Sequence, residues 1–185
     1  MSNPRIIGGK ARGIRLDAVP GDITRPITDR AKEALFNIIG ADIQNSTFLD
    51  LFGGTGSVGI EALSRGASYA RFIEISSIAA KKIHLNLNKT HFSSQAEVLC
   101  MDAMKYIQSP VQKKFDYVYI APPQYKELWL ETLQLLDDHH FHLSDDGWVI
   151  AQIDPIEEGA LRLTHFEVFD QRKYGNTLLL FYFHK

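Results

Sequence analysis

The sequence predicts an α/β protein with a mostly parallel, seven-stranded sheet, helices on both faces and an antiparallel hairpin near the C-terminal end. Apolar strand-like runs alternate with helix-like segments over residues 48–153, which is typical of right-handed βαβ units. Two β-rich runs follow at residues 166–169 and 177–183, separated by Lys173-Tyr174-Gly175-Asn176, which has the composition of a hairpin turn. The 185 residues correspond to about one domain.

Helical periodicity begins after Thr28, which can cap a helix containing Ala31, Leu35 and Ile38, and Gly40 can end that helix. A later helix begins at Ser76 or Ser77 and continues to about Lys89. The predicted strands cover residues 48–52, 69–73, 98–100, 115–120 and 148–153, and the other predicted helices cover 58–65, 103–108 and 126–136. The predicted inward side chains of these helices include Ile78, Ile83, Leu87, Leu128, Trp129, Leu133 and Leu136, and Cys100 is predicted to be a buried strand residue.

Composition excludes several classes of protein. With 45% apolar and 23% charged residues the chain is typical of globular proteins, and no apolar run approaches the roughly 20 residues that cross a bilayer. The first residues, Met1-Ser2-Asn3-Pro4-Arg5, lack the pattern of a secretory signal, and one cysteine cannot form an internal disulfide. We therefore expect a cytoplasmic protein without membrane contact.

The charge is distributed unevenly. Residues 1–32 contain seven basic and three acidic side chains, a local charge of +4, whereas the whole chain has a net charge of -2. A basic segment on a mildly acidic body indicates a local contact with a polyanion, although an ordinary solvated surface would have the same charges. We divide the chain into a basic N-terminal arm, residues 1–27, which we expect to form small strands or an extended segment, and a main domain, residues 28–185.

A glycine-rich motif follows the first predicted strand of the main domain. Gly54-Thr55-Gly56-Ser57-Val58-Gly59 matches the pattern G-x-G-x-x-G, and Glu74 comes 20 positions after Gly54, at the end of the next strand. Glycines let a ligand approach the backbone closely, and a carboxylate at that strand end can accept hydrogen bonds from ribose hydroxyls. The motif indicates a nucleoside-bearing cofactor, the alternative being a tight turn without a ligand.

Asp50 helps to distinguish between two such cofactors. It lies within the first strand, next to the loop where a dinucleotide enzyme would place the anionic pyrophosphate. S-adenosylmethionine instead carries an ammonium and a sulfonium, which a nearby carboxylate attracts. The sequence therefore favours S-adenosylmethionine over a nicotinamide cofactor.

The stretch from Leu49-Asp50-Leu51-Phe52-Gly53-Gly54 through Glu61-Ala62-Leu63-Ser64-Arg65-Gly66-Ala67 resembles the cofactor loop of class I methyltransferases, which have a Rossmann-like fold. Within them, the chain most resembles the bacterial 16S rRNA guanine-N2 methyltransferases of the RsmD type. The matching segments outside the loop are Arg5-Ile6-Ile7-Gly8-Gly9-Lys10, Thr24-Arg25-Pro26-Ile27-Thr28-Asp29-Arg30, Glu33-Ala34-Leu35-Phe36-Asn37 and Tyr174-Gly175-Asn176-Thr177. The resemblance covers almost the whole chain.

This resemblance implies roles for individual residues. Asp50 and the loop residues Gly53, Gly54, Thr55 and Gly56 would hold the methionine part of the cofactor, and Glu74 would hold its ribose. Asp102 would bind the adenine amine, although it can also cap a helix beginning at Ala103. Thr28 and Arg30 could border the cofactor. The residues expected to bind RNA phosphates are Arg5, Lys10, Arg12, Arg15, Arg25 and Arg30.

The expected catalytic segment departs from the family pattern of Asp or Asn, Pro-Pro and an aromatic residue. This chain has Ala121-Pro122-Pro123-Gln124-Tyr125, so the polar side chain is absent and the aromatic residue is displaced by one position. Backbone carbonyls near Ala121 and Pro122, the side chain of Gln124 or another carboxylate could accept a hydrogen bond instead. Tyr125 is expected to stack on an extruded guanine or to pack on the following helix.

Together these observations predict an RNA methyltransferase that uses S-adenosylmethionine without a metal. The expected partner is 16S rRNA in the small ribosomal subunit, with or without bound ribosomal proteins, and the protein is expected to be a monomer. Asp137-Asp138-His139-His140-Phe141-His142 contains metal-ligand residue types, but we interpret it as a polar connection without a recognised ligand spacing. The open alternatives are a non-catalytic RNA-binding or assembly protein, a methyltransferase of another amine in DNA or protein, and a nicotinamide oxidoreductase.

Overall fold

A computed structural model describes residues 3–19, 27–123, 128–159 and 161–185. The helices are α1 (Asp29–Ile39), α2 (Ser57–Arg65), α3 (Ser77–Thr90), α4 (Ala103–Ile107) and α5 (Leu128–Asp138). The strands are β1 (Thr47–Asp50), β2 (Tyr69–Ile73), β3 (Ala96–Leu99), β4 (Phe115–Ile120), β5 (Leu143–Ile153), β6 (Phe166–Tyr174) and β7 (Thr177–His184). Short 3-10 helices cover Gly40–Ile43, Ser93–Gln95, His140–His142 and Pro155–Glu157.

The strands described form one seven-stranded sheet in the order β3-β2-β1-β4-β5-β7-β6. Strands β1 to β5 are parallel, whereas β7 pairs antiparallel with both β5 and β6. The fold class predicted from the sequence is confirmed. Strand order reverses between β1 and β4, so the loops after these two strands diverge and leave a crevice at the carboxyl edge of the sheet.

Two apolar clusters cover the two faces of the sheet. On one face, α1, α2, α3 and the N-terminal segment pack on Phe48, Phe72, Tyr117 and Tyr119. On the other face, α4 and α5 pack on alternate residues of the same strands, including Leu49. Because successive strand residues point to opposite faces, Asp50 lies on the face of Phe48, beside α2.

Helix ends follow the capping residues in the sequence. Thr28 accepts a hydrogen bond from the Ala31 amide at 3.2 Å and begins α1, and Gly40, with φ of 65°, follows its last residue. Ser76 accepts from Ala79 and caps α3. At the end of the hairpin, Gly175 has φ of 60°, which favours glycine in the turn between β6 and β7.

Several boundaries and orientations differ from the sequence predictions. Strand β1 ends at Asp50 because the next residues turn into the glycine loop, β5 begins five residues early, and β6 extends to Tyr174 along β7. Cys100 is exposed and follows β3, an edge strand that ends at Leu99, so its prediction as a buried strand residue is wrong. Ile78 is 61% exposed, since the buried face of α3 begins at Ala79.

The segment 137–142 is also more ordered than a polar connection. Asp137 and Asp138 end α5, and the buried Asp137 carboxylate accepts hydrogen bonds from the amides of Thr164, His165 and Phe166. Across the described parts of the chain, no group of three or more His, Cys, Asp or Glu side chains is arranged to hold a metal ion. No described helix has both the length and the apolar character that a membrane span requires.

Candidate active site

The crevice between β1 and β4 contains the glycine loop. Gly54 and Gly56 have φ of 54° and 79°, in the left-handed region that side chains other than glycine seldom adopt. The Gly56 amide donates to the Gly53 carbonyl at 2.7 Å, and this turn leads directly into α2 at Ser57. The loop therefore presents backbone, without side chains at the glycines, at the edge where ligands bind in this kind of sheet.

Asp50 lies at the bottom of this crevice. Its side chain is 2% exposed, and its Oδ1 accepts a long hydrogen bond of 3.4 Å from the Phe52 amide. Burial is the main cause that raises the pKa of Asp50 to about 7; the charge of Glu74 adds to it, whereas the amides of Phe52 and Gly59 oppose it. No Lys, Arg or His of the described residues forms an ion pair with Asp50.

A ligand with a positive charge suits this position. A buried carboxylate without a cationic partner is destabilised in its ionised form, and a ligand ammonium would restore the missing interaction. The buried Asp50 carboxylate thus suits S-adenosylmethionine, whose amino group is cationic. A pyrophosphate, by contrast, would be repelled by both Asp50 and Glu74.

Glu74 follows β2 and reaches the loop after β1. Its Oε2 accepts from the Gly54 amide at 2.8 Å and its Oε1 accepts from the Ser76 amide at 2.8 Å. Because each carboxylate oxygen can accept about two hydrogen bonds, ribose hydroxyls can still donate to both oxygens. Glu74 therefore both orders the loop and remains half-buried at the crevice.

Asp102 lies beyond β3, on the same side of the crevice as Glu74. It caps α4 through a 3.0 Å hydrogen bond from the Lys105 amide to its Oδ1. The ends of β2 and β3 are adjacent, since the Glu74 amide donates to the Leu99 carbonyl at 3.1 Å. Ile75, the residue after Glu74, is 70% exposed and adds an apolar side chain after the end of β2.

The other side of the crevice is formed by the segment after β4. Ala121, Pro122 and Pro123 are half-buried, and Ala121 packs against the same apolar cluster as Tyr119. The candidates Gln124 and Tyr125 lie outside the described residues, as does Arg25. Residues 121–123 have apolar side chains, so the hydrogen-bond acceptors in the described part of this segment are backbone carbonyls.

Comparison with known proteins agrees with this geometry. The profile of the family described as Conserved hypothetical protein 95 matches residues 4–183. The chain is 36% identical over 172 residues to YlbH of Bacillus subtilis, covering 89% of this chain and 93% of YlbH. It is 37% identical over 139 residues to ribosomal RNA small subunit methyltransferase D of Haemophilus influenzae, covering 74% of this chain and 72% of that protein.

The chain belongs to the family of ribosomal RNA small subunit methyltransferase D, which the profile of Conserved hypothetical protein 95 describes. The solved structure of a protein described as the putative methyltransferase yhhF from Escherichia coli matches this chain with a TM-score of 0.86 and 30% identity. The match covers 100% of this chain and 99% of that one. The resemblance found in the sequence is confirmed.

In this member of the family, the N-terminal segment is fixed on α2. The amides of Ile7 and Gly8 donate to the buried carboxylate of Glu61 at 2.9 and 2.8 Å, and the Ala11 amide donates to Ser64 Oγ at 2.9 Å. Ile6 and Leu16 are fully buried in the main core. The segment therefore forms its apolar contacts with the main domain.

The basic residues of this segment lie at two ends of α2, which is about 13 Å long. Arg5 and Arg15 form an isolated antiparallel β-bridge through their backbones near the start of α2. Lys10 and Arg12 lie near the end of α2, where the Lys10 amide donates to the Ser64 carbonyl. Arg5 also forms a 2.6 Å ion pair with Asp29. Arg30 lies over the Tyr174 ring at 6.0 Å, so two family segments distant in sequence meet at the carboxyl edge.

Sequence reasoning missed Asn86, which connects the N-terminal segment to the glycine loop. Its fully buried amide nitrogen donates to the carbonyls of Thr55 at 2.9 Å and Asp17 at 3.1 Å, and its Oδ1 accepts from the Asp17 amide at 2.8 Å. The available signal was a polar residue between Ile83 and Leu87 on the buried face of a helix.

Lys32 makes a second connection of this kind. Its buried Nζ donates to the Arg5 carbonyl at 2.6 Å and to Ser57 Oγ at 3.0 Å, and it lies 3.4 Å from the Glu61 carboxylate. Burial lowers the pKa of Lys32, while the charge of Glu61 opposes that effect. Lys32 thus fixes Arg5 relative to the first residue of α2, directly after the glycine loop.

Proposed function

We propose that this protein transfers a methyl group from S-adenosylmethionine to the exocyclic N2 of a guanine in 16S rRNA. The observation that carries the proposal is the buried Asp50, without a cationic partner among the described residues, beside the loop that Glu74 orders. Membership of a family with a relative named for methylation of small-subunit ribosomal RNA supports the acceptor.

The cofactor residues divide by chemistry. Asp50 would bind the ammonium group, Gly53, Gly54, Thr55 and Gly56 would lie against the methionine part, and Glu74 would accept from the ribose hydroxyls. Asp102 would accept from the adenine amine, and the exposed Ile75 would cover part of the adenine ring. When bound, S-adenosylmethionine supplies a methyl group already activated by a positively charged sulfur. Thr28 caps α1 in the structure, and its contact with the cofactor remains a prediction.

The acceptor base would enter between the ends of β1 and β4. The main task of the protein is to hold the guanine amine in line with the methyl group, because proximity and orientation can lower the barrier of such a transfer substantially. The carbonyls at Ala121 and Pro122 can accept from the amine, Pro123 stiffens the segment, and Tyr125 would stack on the base.

The RNA would extend over the basic N-terminal arm, residues 1–27, and onto the main domain. Arg5, Arg15 and Arg30 would bind phosphates near the base, whereas Lys10 and Arg12 would bind phosphates farther along α2. Arg25 is proposed for the same role from the sequence. The proposed partner is the small ribosomal subunit in the cytoplasm, where the protein would act as a monomer.

The decisive experiment uses purified protein, methyl-labelled S-adenosylmethionine, and either small subunits lacking the modification or naked 16S rRNA. We expect labelled N2-methylguanosine after digestion of the RNA to nucleosides. A label on another nucleoside would assign a different acceptor. Cofactor binding without any label would support a non-catalytic RNA-binding protein, which the absence of a polar side chain at Ala121 favours as the second candidate.

A further inference from the structure

Two polar side chains lie together at the ends of β4 and β5, on the face of the sheet that contains Asp50. Tyr119, which is 2% exposed, donates a hydrogen bond from its hydroxyl to Gln152 Oε1. Tyr119 pairs with Asp50 of β1 on one side and with Ile150 of β5 on the other. Asp50, Tyr119 and Gln152 therefore form a row across three neighbouring strands at the carboxyl edge.

Gln152 lies next to Ala121. Ile120 of β4 pairs with Ala151 of β5, so the next residues along these parallel strands are Ala121 and Gln152. Ala121 and Ile150 both belong to the apolar face that contains Tyr119, and Gln152 follows Ile150 by two residues on that face. The Gln152 carboxamide is thus beside the position where the family pattern has an Asp or Asn side chain.

We propose that Gln152, oriented by Tyr119, accepts a hydrogen bond from the guanine amine and thereby replaces the acceptor that Ala121 lacks. This inference rests on the proposed function and adds a substrate contact to it. Gln152 is half-buried and lies beside Ala121 at the carboxyl edge of the sheet, so its carboxamide is not fully enclosed by protein. Its Oε1 has a second lone pair besides the one used by Tyr119, and its Nε2 has two donors.

The chemistry of a carboxamide suits the edge of guanine that contains N2. There, an N–H donor stands next to the N3 acceptor, and the Oε1 and Nε2 groups of one glutamine can match both. Because the Tyr119 hydroxyl donates to Gln152 Oε1, Tyr119 determines the orientation of the carboxamide. Burial, with the charge of Asp50, raises the pKa of Tyr119 well above its usual value, so the hydroxyl remains a donor over the working pH range.

The transfer forms a bond between the amine nitrogen and the methyl carbon and breaks the bond between methyl carbon and sulfur, whose electron pair stays on sulfur. The methylated amine then releases one proton to water. Gln152 does not take this proton, because a neutral carboxamide is a very weak base. Its contribution is to orient the amine and its lone pair toward the methyl group.

The test compares Gln152→Met, which conserves volume without hydrogen-bonding capacity, with Gln152→Ala and with the exposed control Gln171→Met. Single-turnover methylation of the small subunit and calorimetric binding of S-adenosylmethionine are measured for each full-length protein. By analogy with loss of one oriented hydrogen bond, we expect Gln152→Met to slow transfer by about 10²-fold. The dissociation constant of the cofactor should change less than about twofold, since Gln152 lies on the acceptor side.

Two further variants separate a substrate contact from a structural role. Adding Ala121→Asn to Gln152→Met should restore at least about tenfold in rate, because a carboxamide then returns to the same place from the neighbouring strand. Tyr119→Phe should slow transfer by about three- to tenfold with the fold intact, as Gln152 loses its orientation.

An unchanged rate in both Gln152 variants, or failure of Ala121→Asn to rescue the rate, would overturn this inference. If Gln152→Met does not fold, the same rescue is measured in Gln152→Ala. If the wild-type protein forms no labelled N2-methylguanosine, the proposed function itself is wrong. These results are distinguishable because the wild-type protein is assayed on the same subunits.

Discussion

Gly54 and Glu74, 20 residues apart in the chain, are joined by a 2.8 Å hydrogen bond from the Gly54 amide to Glu74 Oε2. This bond ties the loop after β1 to the end of β2. A carboxylate that orders a loop and also faces the cofactor has two effects on affinity, and these effects can be separated by substitution.

Glu74→Gln should weaken binding of S-adenosylmethionine by about tenfold, and Glu74→Ala by about 100-fold. Gln retains an oxygen for one backbone amide, whereas Ala leaves both amides and the ribose without an acceptor, and hydrogen bonds to charged groups contribute roughly 1.5–3 kcal/mol. Titration calorimetry measures the affinities, with the exposed Glu33→Gln on α1 as control. Equal affinity in Glu74→Ala and wild-type protein would contradict the ribose role.

The raised pKa of Asp50, about 7, predicts that cofactor affinity depends on pH. A cationic ligand binds the ionised carboxylate, so affinity should fall as the pH drops below about 7, approaching tenfold per pH unit. Calorimetry in buffers of different ionisation enthalpy should detect proton release on binding near pH 7. Asp50→Asn should bind weakly, and its affinity should change much less between pH 6 and pH 8 than that of the wild type.

Asp50 also makes the stability of the folded protein depend on pH. A rise in pH should strengthen cofactor binding but lower the free energy of unfolding. Because the folded-state pKa of Asp50 is raised, its ionisation destabilises the folded state, and this destabilisation grows as the pH rises from about 4 to about 7. Asp50→Asn should therefore increase the free energy of unfolding at pH 8 by roughly 2–4 kcal/mol while weakening cofactor binding. Denaturant unfolding at pH 5 and pH 8 measures this difference. A smaller gain at pH 8 than at pH 5 would be inconsistent with it.

The residues that sequence reasoning located best are those whose role follows from local pattern. Strands β2 and β4 match their predicted ranges because continuous apolar runs end at turn-forming residues. Gly54 and Glu74 meet because parallel strands end at one edge of the sheet. Asn86, Lys32 and Gln152 were missed because their partners lie 25 to 69 residues away in sequence. Such contacts depend on which helix packs on which strand, and no spacing in one segment specifies that packing.

Asn86→Leu should both destabilise the protein and weaken cofactor binding. The variant leaves the Thr55 and Asp17 carbonyls and the Asp17 amide without the buried partner they have in the structure, which costs roughly 2–4 kcal/mol in the free energy of unfolding. Cofactor affinity should fall at least about threefold, because Thr55 belongs to the glycine loop. Denaturant unfolding and calorimetry provide the two readouts, and Asn37→Leu on the exposed face of α1 is the control. Destabilisation without any change in affinity would mean that Asn86 does not position the loop.

Two histidines with buried ring nitrogens should make the protein sensitive to acid. Burial lowers the pKa of His142 and of His140, and the nearby His165 lowers the pKa of His140 further. Within the described residues the Nδ1 atoms of both rings are buried without a hydrogen-bond partner, so protonation would bury an unpaired charge.

The unfolded chain therefore binds protons that the folded protein excludes. Stability should decrease as the pH falls below about 6.5, with a slope of up to about 1.4 kcal/mol per pH unit for each histidine. His142→Gln should reduce the slope measured by denaturant unfolding between pH 6.5 and pH 5, whereas the exposed His84→Gln serves as the reference. An identical slope in His142→Gln and His84→Gln would refute the prediction.

The two groups of basic residues on the N-terminal segment predict different effects on RNA binding and on methyl transfer. Removing one cation that binds a phosphate should reduce the magnitude of the slope of log affinity against log salt by about 0.7–0.9. The double variant Arg5→Ala with Arg15→Ala, and the double variant Lys10→Ala with Arg12→Ala, should therefore each reduce that magnitude by up to about 1.8.

Arg5 and Arg15 lie near the start of α2, at the edge with the glycine loop, so their removal should also slow single-turnover transfer at saturating RNA. Lys10 and Arg12 lie about 13 Å away, at the far end of α2, and their removal should change affinity alone. Filter binding at several salt concentrations and single-turnover assays measure both quantities, with Lys114→Ala at the opposite edge of the sheet as control. A salt slope that stays at the wild-type value in both double variants would show that the RNA binds a different surface of the protein.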